Sequence, residues 1–154
     1  MKLALARQAA LAAAVLAVGV AFAPAVSYAQ STPKQTAQKA ERYKVVLQVS
    51  DHDPAKWNLA LNNARNIQQD LGKGNVDVEI VAYGPGLNML KGDSKVSDRL
   101  AGALDNNIGL MACENTMRNT KVQKSDMYGG IGYVKAGVVH IMQRQREGWA
   151  YVRP

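Results

Sequence analysis

The sequence predicts an α/β domain: a three-layer sandwich around a mostly parallel five-stranded sheet, connected in the flavodoxin/Rossmann manner. Three observations carry this prediction. Short β-branched runs alternate with stretches whose apolar residues recur every three or four positions. That alternation continues until the chain closes on a last short apolar run, and strands alternating with helices argue for parallel pairing through right-handed crossovers. The third apolar run has no polar face, as expected of a strand covered on both sides.

Each element has its own signal. Tyr43 to Val49, YKVVLQV, is short and β-branched, a strand. SDHDP then breaks it. Asp53 is a capping carboxylate and Pro54 suits the first helical position, so a helix starts there. Trp57, Leu61, Ala64, Ile67 and Leu71 mark its apolar face, and Gly72 stops it. VDVEIVAY, Val76 to Tyr83, is the second strand, followed by a GPGLNMLKGDS loop. Val96, Leu100 and Leu104 mark a short second helix that carries Gly102. Ile108 to Cys113, IGLMAC, is the third strand. Glu114 to Gln123 reads as a polar, partly exposed helix, and Gly129 to Val134 as a fourth short strand. Val138, Ile141 and Met142 mark a fourth helix ended by Gly148, and Trp149 to Val152 closes the sheet.

The segment before this domain has a different character. Lys2 and Arg7 precede an apolar run from Ala9 to Ala23, and Ser27-Tyr28-Ala29 has the small-x-small form of a signal-peptidase site. Residues 1–29 are therefore expected to be a secretory signal peptide directing the chain to the periplasm, leaving no membrane anchor after cleavage. The apolar run is shorter than the ~20 residues that cross a bilayer. Residues 30–42 read as a flexible polar leader and residues 43–154 as the folded domain. Without Lys2 and Arg7, 17 basic residues face 12 acidic ones, a net charge of +5. The bases are scattered, with Arg144, Arg146 and Arg153 the nearest to a patch, so no nucleic-acid partner is expected.

In a parallel sheet, chemistry gathers where strands end and helices begin. SDHD, YGPG and CENTM all fall on that rim. Cys113 is the chain's only cysteine, so it has no intramolecular disulfide partner. It is a buried filler, half of an intersubunit bridge, or a reactive thiol. At a helix N-terminus, unpaired N–H groups favour a thiolate, and Asn115 and Thr116 can add hydrogen bonds, whereas Glu114 opposes the charge. His52 is placed to act as a base or proton donor, its alternative being a solvated loop residue. His140 reads as a partly buried helix residue. Tyr83, Gly84 and Gly86 offer either exposed amides for an anion or a turn that needs glycine. An apolar rim on the third helix or near Met127 and Tyr128 is a candidate interface.

Several machines are excluded. The first rim loop lacks GxGxxG, and the chain has no Walker motif, no CxxC and no GxSxG. No ligand pair has zinc-site spacing, so no metal and no cofactor are expected.

Taken in order, VVLQVSDHDPAKWNLALNNARNI, VEIVAYGPGLNML, LMACENTM and VKAGVVHIMQRQREGWAYVRP resemble the exported single-domain branch of the DsrE/DsrF-like family, across Tyr43 to Pro154. The resemblance implies a compact α/β fold that forms homo-oligomers and works in sulfur metabolism. It implies sulfane sulfur held as a persulfide on Cys113, exchanged with a donor or acceptor thiol, either a protein or a small molecule. Relatives often have glycine where this chain has Glu114. A carrier is expected rather than an autonomous enzyme. The alternative is a non-catalytic homo-oligomeric binding or assembly module in which Cys113 is structural.

Overall fold

The structure, a computed structural model, describes residues 42–154. The expected signal peptide and residues 30–41 of the leader lie outside the described residues. Arg42, the last leader residue, is tied to the sheet by hydrogen bonding to the Val76 carbonyl (3.2 Å) and an ion pair with Asp77 (2.8 Å).

Five strands, β1 (Tyr43–Val49), β2 (Val76–Ala82), β3 (Gly109–Cys113), β4 (Gly132–Val134) and β5 (Ala150–Val152), form one sheet in the order β4-β3-β2-β1-β5. Every pairing is parallel. Helices α1 (Pro54–Leu71), α2 (Ser97–Asp105), α3 (Glu114–Thr120) and α4 (Gly137–Arg146) lie between the strands in chain order.

The strand order decides which face each helix covers. From β1 to β4 the sheet grows in one direction, so right-handed crossovers place α1, α2 and α3 on the same face. The chain then returns to the far side of β1, which reverses the sense and puts α4 on the opposite face. The packing follows. Val45, Leu47 and Val49 of β1, Val78 and Ile80 of β2, and Leu110 and Ala112 of β3 meet Trp57, Leu61, Leu100 and Met117 in one large core. The alternate residues, Val46 and Val81, meet Ile141 of α4 in a second, much smaller buried cluster, with partly buried Tyr83, Met111, Val134 and Trp149 packed against it. Strand residues alternate between faces with period two, so each strand serves both.

Local signals explain the element ends. Asp53 is extended and its carboxylate accepts from the Ala55 N–H at 2.8 Å, with Pro54 following. The stretch read as a loop after β2 folds as a 3₁₀ helix over Gly84–Leu90, burying Leu87, Met89 and Leu90. Helix α3 is shorter than its polar run suggests, because Lys121 turns left-handed at φ 59°. Met127 does not form an outer rim. It is buried in the main core and bridged to Lys91. The exposed apolar row lies on α4, at Val138, Val139 and Met142, so of the residues that marked this helix only Ile141 is buried.

Candidate functional site: the cysteine edge and the α4 cleft

Cys113 ends β3 and caps α3 from an extended conformation. It lies on the α4 face of the sheet, since Ala112 before it belongs to the main core. Its residue surface is only 4% exposed, yet it belongs to neither apolar cluster. Polar donors surround the sulfur instead. The Gly137 N–H, first in α4, donates to Sγ at 3.2 Å. The Thr116 hydroxyl and the Thr116 and Asn115 N–H groups also favour a thiolate, although the Asn115 N–H makes its own hydrogen bond to the Lys135 carbonyl at 3.1 Å.

Burial is the largest influence on this thiol and pushes its pKa up. Together, the Thr116 hydroxyl and the N–H groups of Gly137, Thr116 and Asn115 outweigh it, so the pKa falls below the usual 9.0. Thr116 is held for this role. Its Oγ1 accepts the Gly84 N–H at 2.9 Å, which leaves the hydroxyl hydrogen free for the sulfur. The acid beside the thiol is otherwise engaged, with the Glu114 carboxylate 3.3 Å from Lys124 Nζ.

The rim residues read from the sequence divide into two groups. Tyr83, Gly84, Asn115 and Thr116 converge around Cys113. The amides of the glycine turn are committed rather than open to an anion: Gly84 donates to Thr116 and Gly86 donates to the Tyr83 carbonyl at 3.1 Å. Gly86 is glycine because a Cβ there would stand 2.3 Å from the Val49 carbonyl oxygen. Tyr83 packs its ring against Gly137, where a Cβ would meet the Tyr83 Cβ at 3.0 Å. Burial is the main cause that raises the Tyr83 phenol pKa, so the phenol keeps its proton.

His52 is not brought to the thiol. It is exposed and meets Trp57 edge-on, with ring centroids 5.5 Å apart. It lines a separate cleft with Trp57, Asn88 and Lys95. β2 stands between the ends of β1 and β3, which separates them by about 9–10 Å. Among the described residues no hydrogen bond joins His52 to Cys113.

The sequence reading missed the groups supplied by the β4–α4 connection and by α4. Glycine at the start of a helix was the available sign for Gly137. The larger omission is Glu79, an acid in the middle of apolar β2. Its side chain is 9% exposed and ion-paired to Arg144, with Nη2 at 2.6 Å from Oε1 and Nε donating to Oε2 at 2.9 Å. His140 Nε2 lies 2.9 Å from the same Oε2. Burial raises the Glu79 pKa most strongly, but the hydrogen bonds from Arg144 and His140, with the Arg144 charge, prevail and hold it below the usual value. Arg144 also stacks on Trp149, 4.6 Å from the ring centroid. This cluster pins α4 to the sheet.

Between α4 and the edge strand β4 lies a cleft of about 500 Å³, lined by Val134, Lys135, Ala136, Val139, His140 and Asn115, among others. Cys113 does not line it but adjoins it, because Asn115 and Ala136 flank the groups that hold its sulfur. Among the described residues, no group of three or more His, Cys, Asp and Glu side chains is placed to hold a metal, and no helix is long and apolar enough to cross a membrane.

Fold and site together define a small α/β protein with a cysteine at the carboxyl edge of a parallel sheet. No family model matches the sequence, and no curated protein matches it. A solved structure does. It is similar to MTH1491 of Methanobacterium thermoautotrophicum, a protein of unknown function, with 38% identity and a TM-score of 0.70 over 73% of this chain and 99% of that one. The chain belongs to the family of MTH1491. At the level of fold it is also similar to YchN of E. coli (11% identity, TM-score 0.58, 74% of this chain and 99% of that one). A third likeness is BT1422 of Bacteroides thetaiotaomicron, a conserved protein of unknown function (15% identity, TM-score 0.55, 72% of this chain and 94% of that one).

Proposed function

We propose that this protein is an exported carrier of sulfane sulfur of the DsrE/DsrF-like kind, and that Cys113 holds the sulfur as a persulfide. One observation carries the reading: Cys113 ends β3 with the Gly137 N–H donating to its Sγ at 3.2 Å, a setting that favours the thiolate, the form that attacks sulfur. In the loading step, the Cys113 thiolate attacks the outer sulfur of a persulfide or polysulfide donor. A Cys113–sulfur bond forms, the donor's sulfur–sulfur bond breaks, and the donor departs as a thiolate. The acceptor is a thiol, on a small molecule or another protein. The reading assigns Cys113 carriage of the sulfur from donor to acceptor.

Polysulfide treatment of the native protein is the direct test. The intact mass should rise by ~32 Da per added sulfur atom, and the gain should vanish in Cys113→Ser. Export is tested separately by cell fractionation and N-terminal sequencing, with the mature chain expected to begin at Gln30.

A second reading has its own support. Cys113 is 4% exposed, and α4 presents Val138, Val139 and Met142 to solvent. In that reading the protein is a homo-oligomeric binding or assembly module, its apolar α4 row is covered by another copy, and Cys113 is structural. A thiol that iodoacetamide reaches only after unfolding would decide for it.

A further inference from the structure

We propose that the cleft between β4 and α4 seats the acceptor, a small anionic thiol, and that His140 takes the proton from its sulfur. This rests on the carrier reading of Cys113 and assigns that reading a substrate site.

A volume of about 500 Å³ fits a small molecule. Val134 and Val139 supply apolar walls for its carbon skeleton. The charges select an anion: Lys135 lines the cleft and no carboxylate does. Behind the wall, Glu79 has its charge matched by the two-point Arg144 contact.

His140 is prepared for the proton. A carboxylate only accepts, so the 2.9 Å contact with Glu79 Oε2 places a hydrogen on Nε2. Nδ1 is then the basic nitrogen, and it makes no hydrogen bond among the described residues. An imidazole oriented by a carboxylate in this way is the usual arrangement of a general base. His140 and the Gly137 donor to Cys113 both belong to α4. Gly137 donates to Sγ, and His140 follows three residues on, about 4.5 Å of helix rise.

The transfer step balances without an oxidant or a reductant. Nδ1 removes the proton of the acceptor thiol. The resulting thiolate attacks the outer sulfur of the protonated Cys113 persulfide. A new sulfur–sulfur bond forms on the acceptor, the bond to Cys113 breaks, and Cys113 leaves as the thiolate that its donors stabilise. The proton on His140 is then released to solvent.

The test has two arms. In the first, Cys113→Ser removes the chemistry and glutathione, an anionic thiol, is titrated while backbone and methyl NMR signals are followed. Saturable shifts centred on Val134, Val139 and His140 are expected, weakened at least about threefold by Lys135→Glu or Val139→Asp, two exposed positions whose replacement leaves the fold intact. No saturable shift, or shifts centred on the cleft around His52, would overturn the site. In the second arm, proteins loaded with polysulfide transfer sulfur to glutathione. His140→Gln should slow transfer about a hundredfold at pH 7 and recover most of the rate above the ordinary thiol pKa of about 8.5, where the acceptor ionises unaided. Unchanged transfer, or equal slowing at every pH, removes His140 from the step. A native protein that never gains sulfur overturns the carrier reading and the transfer step with it, while the titration of Cys113→Ser still decides the cleft.

Discussion

The two faces of the sheet differ in depth. On the α1 side, Leu47, Ile80, Leu100 and Leu110 are sealed among three helices and a 3₁₀ segment. On the α4 side, one helix covers five strands, and Val46, Val81 and Ile141 are the buried residues of its cluster. The second face compensates with charge: Glu79 is clamped by Arg144 and His140. A hydrocarbon core holds by area and tolerates no polar intrusion. A thin face held by a few directional contacts keeps its clefts open and its donors aimed. The division teaches where to look: the thick face makes the fold, and the thin face carries Cys113, the cleft and the exposed row on α4.

Substitutions can sharpen or break this division. The largest effect is expected from Ile80→Ala, which opens a cavity in the thick core and should cost about 3–4 kcal/mol in urea unfolding. If it costs no more than Val81→Ala, its neighbour facing the other way, the two faces are not different in kind. Next is Glu79→Gln, which leaves Arg144 without its carboxylate and should cost about 2–3 kcal/mol at pH 7, below a fully buried pair because Arg144 is partly exposed. Its pH dependence has a definite sign. The Glu79 pKa is lowered by folding, so its stabilisation is complete above the ordinary value of 4.5 and is lost as pH falls below that toward the folded value. Unfolding curves of Glu79→Gln should lack that acid-side loss.

Thr116→Val should change stability less and chemistry more. Removing the hydroxyl raises the Cys113 pKa toward 9.0, and iodoacetamide labelling at pH 7 should slow roughly three- to tenfold. Equal labelling rates would mean that Thr116 does not act on the sulfur. Met142→Lys is the smallest expected perturbation of the fold. The side chain is 58% exposed, so stability should move by less than about 0.5 kcal/mol. Sedimentation should nevertheless detect a smaller assembly if another copy covers this helix.

The sequence made the thick face legible. Short β-branched runs such as VVLQV and the three-and-four spacing from Trp57 onward are consequences of burial. Asp53-Pro54 announced its helix because capping is local chemistry. The thin face was harder to read, since its meaning lies in pairs distant along the chain. Glu79 and Arg144 are 65 residues apart and share no local pattern. Gly137 reaches Cys113 across 24 residues through an N–H that any non-proline residue would have. His52 shows the converse. Its position after a strand marked it for the rim, but strand order, which periodicity does not contain, put β2 between it and the thiol. The position of Cys113 was readable because it depends only on where one strand ends.

The return of the chain to β1 has a consequence for timing. Strands β1 to β4 and every buried member of the larger core lie before residue 135. The N–H that engages Sγ arrives with the final twenty residues, as do the arginine that matches Glu79 and the strand that closes the sheet beside β1. A polypeptide emerging in order thus assembles its scaffold first and tunes its sulfur last. The last contact to the thiol would form at the close of folding, and a chain stalled short of residue 137 would keep the Thr116 hydroxyl beside its sulfur but lack the Gly137 N–H.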